Sequence, residues 1–138
     1  ERSSKGDTLT TLYGIKNCDT VRKARKWLSA SGVNYAFHDF RDEGINSALI
    51  DQWLTHADLA SLINKRSTSW KALDDSEQNA INTALSDDAK ERDVARALTI
   101  LVATPTLIKR PVLANSKGVE VGFSEKRYQA LLESGQLQ

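Results

Sequence analysis

The sequence predicts an α/β domain in which a parallel β-α-β half and an antiparallel β-β-α half are joined through a block of helices. Three observations predict it. A short apolar run, a basic amphipathic stretch and an alternating run follow one another up to Phe40. The middle of the chain keeps a helical period. The last part reverts to two short alternating runs around a turn and closes with one more helical stretch.

Each element has a local reason. Residues 9–14, Leu9-Thr10-Thr11-Leu12-Tyr13-Gly14, read as a buried strand closed by Gly14. Residues 19–31 read as a helix: Val21, Ala24, Leu28 and Ser31 form a stripe with Trp27 beside it. Arg22, Lys23, Arg25 and Lys26 fill the rest, and Gly32 is a good stop. Residues 33–40 alternate as a second strand, with Val33, Tyr35, Phe37 and Asp39 on one side. Two strands joined by so short a helical crossover must be parallel.

In the middle, Ile45, Leu49, Ile50, Trp53 and Leu54 share a face behind an Asn46 cap. Leu59, Leu62 and Ile63 mark a short helical turn. Ser76 is expected to cap a helix carrying Ala80, Ile81, Ala84 and Leu85. Asp87 or Asp88 is expected to cap another carrying Val94, Ala97, Leu98 and Leu101, which Pro105 ends. Pro111-Val112-Leu113-Ala114, a turn over Asn115-Ser116-Lys117-Gly118, and Val119-Glu120-Val121-Gly122 form a hairpin. Ser124 caps a last helix, with Phe123 and Tyr128 at the positions of a hydrophobic staple and Gly135 at its end. This βαβ…ββα mixed sheet is the thioredoxin-like topology, with a helical insertion at about 45–103 between the halves.

Bulk properties narrow the class. A chain of 138 residues is expected to hold one domain, here 9–138, behind a disordered polar segment at 1–8. It is long enough to bury a core without disulfides. A single cysteine points to a reducing, cytoplasmic setting. No apolar run is long enough for a membrane span, and no signal peptide is expected. A net charge of +1 gives little reason to expect nucleic acid as a partner. His38 and His56 lack the spacing of a zinc site, so no metal is expected.

The chemistry concentrates at Cys18. It follows the first strand and the loop Ile15-Lys16-Asn17, and the basic helix begins at Asp19. Free N–H groups and the positive end of a helix dipole would aim at its sulfur and favour the thiolate. Arg22, one turn on, is spaced to lie on the same side as the sulfur and to dock an anionic substrate. The second signal is Lys109-Arg110-Pro111-Val112, a proline at the start of a strand. In thioredoxin-like domains a cis-proline at this place lies against the active-site cysteine, which would turn Arg110 toward Cys18.

Taken together, several segments carry a family resemblance. They are Leu12-Tyr13-Gly14-Ile15-Lys16-Asn17-Cys18-Asp19-Thr20, Lys23-Ala24-Arg25-Lys26-Trp27-Leu28, Phe37-His38-Asp39, Asn64-Lys65-Arg66-Ser67-Thr68-Ser69-Trp70 and Leu107-Ile108-Lys109-Arg110-Pro111. Over about residues 9–134 the chain resembles the arsenate reductase-related family that includes ArsC and Spx, most closely its YffB branch. The resemblance implies a thioredoxin-like fold and a nucleophile at Cys18. In the arsenate reductases the cysteine attacks an arsenic oxyanion, and glutathione then attacks the adduct. Of the three arginines that bind the anion there, one maps onto Arg110. The second falls on Asn64, with Arg66 two residues later, and the third falls near Val121-Gly122-Phe123, where no arginine stands. The second cysteine of the Spx switch falls on Val21.

The expected function is therefore a monothiol reductase. Cys18 would form a mixed disulfide with an oxidised thiol, or an adduct with an oxyanion, and an external thiol would release it. Glutathione is the expected co-substrate, with no tightly bound cofactor. Its binding is expected to involve Lys16, Asn17, Arg22, Arg66, Arg110 and the backbone beside Pro111. The alternative is an Spx-like regulator that docks on RNA polymerase or another protein partner, without an internal redox switch.

Overall fold

The computed structural model describes residues 10–137. The segment at 1–8, expected to be disordered, lies outside the described residues, as does Leu9 at the start of the first predicted strand. The chain divides into two units, one comprising the residues up to Glu43 and from Arg110 onward, the other Gly44–Lys109.

The first unit is built on a four-stranded sheet. Strand β1 (Thr10–Gly14) leads to helix α1 (Asp19–Ala30), strand β2 (Tyr35–Asp39) and a single helical turn, α2 (Phe40–Glu43). After the second unit come β3 (Val112–Asn115), β4 (Gly118–Val121) and the last helix, labelled α8 below (Glu125–Glu133). The strand order is β2-β1-β3-β4. β1 and β2 are parallel, with Leu12 opposite Phe37, as the short crossover demands. β3 pairs antiparallel with both β1 and β4, with Leu12 opposite Leu113 and Val112 opposite Val121. This is the mixed α/β, thioredoxin-like sheet expected from the sequence.

The apolar stripe of α1, namely Val21, Ala24 and Leu28, packs on Leu12, Val33 and Leu113 of the sheet side and on Tyr128, Leu131 and Leu137 of the C-terminal segment. Tyr128 is fully buried. It meets Phe123 edge-on at 4.8 Å and Trp27 edge-on at 5.7 Å. Such pairs add about 0.5–1.5 kcal/mol each beyond the area they bury. The Phe123–Tyr128 contact is the predicted staple, and Ser124 caps α8 by accepting the N–H of Arg127 at 3.0 Å. Gly32, with φ of 75°, supplies the left-handed residue that ends α1 and returns the chain to the sheet.

The second unit is helical. It comprises α3 (Ser47–Leu54), α4 (Leu59–Leu62), α5 (Thr68–Ala72), α6 (Asp75–Ala84), α7 (Glu91–Ala103) and a 3-10 turn (Pro105–Leu107). Asn46 caps α3 as predicted, accepting the N–H of Leu49 at 2.8 Å. Two caps differ from expectation. α6 begins behind Asp74, not Ser76, because Asp74 and Glu77 close a reciprocal capping box. α7 begins behind Lys90, not Asp87 or Asp88, because the Asp93 carboxylate reaches back to the Lys90 N–H at 2.9 Å. A bridge between Ile63 and Ile108 ties the segment after α4 to the C-terminal end of this unit.

Candidate active site around Cys18

Cys18 is the residue at which extended backbone becomes helix. Its φ and ψ are −89° and 125°, its N–H donates to the Ile15 carbonyl at 3.2 Å, and its own carbonyl accepts the first α1 hydrogen bond from Arg22 at 3.0 Å. The side chain is partly exposed and packs on the edge of the first unit's core. Close packing sets how α1 meets β1. A Cβ added at Gly14 would lie 2.7 Å from Cγ2 of Val21, so only glycine lets the start of the helix lie this close to the strand.

The Cys18 sulfur takes its electrostatic surroundings from the start of α1 and from Arg110. Partial burial works against its ionisation. The Val21 N–H, the Arg110 guanidinium and the Thr20 N–H oppose that burial and outweigh it, so the thiol is held below its ordinary value. Helix-start N–H groups and one arginine thus converge on one sulfur. Arg110 is half-buried and precedes Pro111 through a cis peptide bond. Pro111 is buried, and its carbonyl accepts the Gly122 N–H at 2.8 Å, which ties the segment to the end of β4.

The other predicted site residues lie in the loop before Cys18, on α1 and in the second unit. The Arg22 guanidinium pairs with Asp19, three residues back, and Arg22 lines the outer face of α1. Asn17 is exposed in the loop. Lys16 is exposed, and its Nζ pairs with Asp42 at 3.0 Å. Arg66 belongs to the second unit, where it is exposed and its N–H donates to Asn64 Oδ1 at 3.0 Å.

Sequence reasoning missed the part played by Asp39. This side chain is 5% exposed. Its Oδ2 accepts the Lys16 N–H at 3.1 Å, and its Oδ1 accepts the N–H of Arg41 at 2.7 Å and of Asp42 at 3.4 Å. Burial opposes the carboxylate, but the three N–H groups outweigh it and hold its pKa below the usual range. One carboxylate thus caps α2 and anchors the loop that presents Cys18. The signal was available: an Asp at a strand end, followed by an apolar residue and more acids, is a helix-cap pattern.

Among the described residues no group of three His, Cys, Asp or Glu side chains is placed to hold a metal ion. None of their helices is long and apolar enough to cross a membrane.

The same arrangement of chain occurs in known proteins. The ArsC family profile matches residues 13–131. An uncharacterized protein of Haemophilus influenzae is 40% identical over 122 residues, covering 88% of this chain and 97% of its own. The global transcriptional regulator Spx 1 of Lactococcus lactis is 26% identical over 121 residues, covering 88% and 87%. Among solved structures, a YffB protein superposes with a TM-score of 0.73 at 35% identity, over 88% of this chain and 96% of that one. An arsenate reductase-related protein of Brucella melitensis superposes with a TM-score of 0.63 at 34% identity, over 91% and 95%. On these grounds, the chain belongs to the ArsC family.

Proposed function

We propose that the protein is a glutathione-dependent monothiol reductase with Cys18 as its nucleophile. The observation that carries this reading is the acidified Cys18 thiol, set between helix-start N–H groups and Arg110. A thiolate so placed attacks one sulfur of a mixed disulfide between a substrate thiol and glutathione. The old S–S bond breaks, Cys18 becomes bonded to the glutathione sulfur, and the substrate leaves as a thiolate that takes up a proton. A second glutathione thiolate then attacks that adduct. Cys18 is released, and oxidised glutathione carries away the two electrons' worth of oxidation. No cysteine of the chain can perform this second step, because Cys18 is the only one. Glutathione's carboxylates suit Arg110 and Lys16, and the backbone beside Pro111 suits its peptide.

Incubation with oxidised glutathione, read by intact mass, tests the proposal. One glutathione should add to the native protein and none to Cys18→Ser. Reduced glutathione should then remove it. A Cys18 that titrates near the ordinary thiol value of about 8.5 and takes up no glutathione would overturn the proposal. The Spx-like reading, which the Lactococcus relative supports, would then take its place. Arsenate turnover is expected to be weak, since neither Val121, Gly122 nor Phe123 supplies the third anion-binding arginine.

A further inference from the structure

The outer face of α1 carries a feature that the Cys18 chemistry does not use. Arg22, Lys23, Arg25 and Lys26 stand on this helix against a single acid, Asp19. The whole chain carries only +1, so this charge is local. A groove of about 340 Å³ runs here, lined by Arg22, Arg25, Lys26, Ser29 and Tyr35.

The groove is ordered by its neighbours. The Arg25 guanidinium lies 4.3 Å over the Phe37 ring. The Tyr35 hydroxyl donates to the Arg25 carbonyl at 3.5 Å. Among the described residues no carboxylate lies within ion-pair distance of Arg25 or Lys26. β2, which supplies Tyr35 and Phe37, is an edge of the sheet, with β1 as its one partner among the described strands. The groove begins one helical turn beyond Cys18: Arg22, which lines it, donates its backbone N–H to the Cys18 carbonyl.

We propose that this groove docks an acidic peptide segment of the protein whose disulfide Cys18 exchanges. The proposal takes its chemistry from the thiol-exchange reading above, while the docking stands apart from it. Carboxylates of the segment pair with Arg25 and Lys26, for which arginine's planar fork is suited. Main-chain pairing alongside β2, an edge of the sheet among the described strands, would add to these contacts. Nucleic acid fits less well, because a net charge of +1 over the whole chain gives a long polyanion little attraction beyond the groove itself. In this exchange the docked segment presents its own sulfur, in place of the glutathione sulfur of the reaction above, and the Cys18 thiolate attacks it. That S–S bond breaks, a Cys18–peptide disulfide forms, and the other sulfur departs as a thiolate.

The test uses three peptides, each with a central cysteine blocked as a thionitrobenzoate disulfide and flanked by Glu, Gln or Lys. Release of thionitrobenzoate gives the exchange rate. With the native protein the Glu peptide should react about tenfold faster than the Gln peptide at low salt. That advantage should shrink in about 0.5 M salt. Arg25→Glu/Lys26→Glu should invert the order of the Glu and Lys peptides. Lys26→Glu alone, at an exposed position, should reduce the preference without risk to the fold. Equal rates for the Glu and Gln peptides, or a preference that survives both variants, would overturn the proposal.

Docking and chemistry are separable. Cysteine-free, fluorescein-labelled versions of the peptides report binding by anisotropy. If no disulfide peptide reacts but the labelled Glu peptide binds and Lys26→Glu weakens it, the docking stands and the exchange reading falls. An oligothymidine that binds better than the Glu peptide, with the same sensitivity to Lys26→Glu, would overturn the choice of an acidic peptide.

Discussion

Substituting Gly14 by alanine tests whether the close approach of α1 to β1 is as tight as it looks. A methyl group there would lie 2.7 Å from Cγ2 and 3.2 Å from Cγ1 of Val21. Val21 is fully buried and, being β-branched within a helix, has one favoured rotamer, so its side chain cannot swing aside. The helix must move instead. Gly14 is not among the glycines with positive φ, so the backbone accepts alanine and the cost is steric alone. Overpacking of this kind costs about 1–3 kcal/mol. The companion change Val21→Ala removes both clashing methyls and leaves only Cβ, at 3.6 Å, in ordinary contact. By itself it should cost about 1.5–3 kcal/mol for lost burial and the void left behind. In that background Gly14→Ala should be neutral, or stabilising by about 0.4–1 kcal/mol through the unfolded chain. Urea unfolding of the four proteins of the cycle, followed by Trp fluorescence, should therefore give a coupling of about 1–3 kcal/mol between the two positions. Alkylation of Cys18 at neutral pH should slow in Gly14→Ala and recover in part in the double variant, because the clash moves the Val21 N–H that favours the thiolate. If Gly14→Ala is as stable as the native protein, or the two changes simply add, the steric argument is wrong.

Two further perturbations address charge. Arg110→Gln removes the cation beside Cys18, so the thiol pKa should rise and less thiolate should be present at pH 7. The iodoacetamide rate should fall at pH 7 and converge on the native rate at high pH; an unshifted pH–rate profile would show that Arg110 does not act on the sulfur. Asp39 has a folded-state pKa below its unfolded one, so its contribution to stability is present above the ordinary carboxylate value, about 3.9, and disappears as pH falls through the folded value. Asp39→Asn should cost about 1–2 kcal/mol at pH 7, where charged acceptance of three N–H groups is lost, and much less at pH 2–3. An equal loss at both pH values in urea unfolding would remove the carboxylate's charge from the explanation.

What could be read from the chain depended on the length over which each pattern repeats. β1, β2 and the hairpin announced themselves through alternation, and α1 through a stripe that the structure buries as Val21, Ala24 and Leu28. α2 and α5 are only four and five residues long, too short to show a helical period, and neither was expected. Cap residues were harder to choose than helices. Ser76, Asp87 and Asp88 are all chemically able to cap, and the winner was decided by which acid three residues on could reach back. At the site, spacing brought Arg22 within one turn of Cys18 but could not show that Asp19, three residues back, would pair with its guanidinium. Arg110 was legible only through its proline neighbour, and its effect on Cys18 depends on a pairing of β1 with β3 that no local pattern encodes.

That long-range pairing has a consequence in time. Cys18 is synthesised before Arg110, with the whole of the second unit between them. Until β3 docks on β1, the sulfur lacks its guanidinium, and a nascent or truncated chain carries a thiol closer to ordinary acidity. Part of the thiol's activation therefore waits for β3 to dock on β1, while the part owed to the Val21 and Thr20 N–H groups comes with α1 itself.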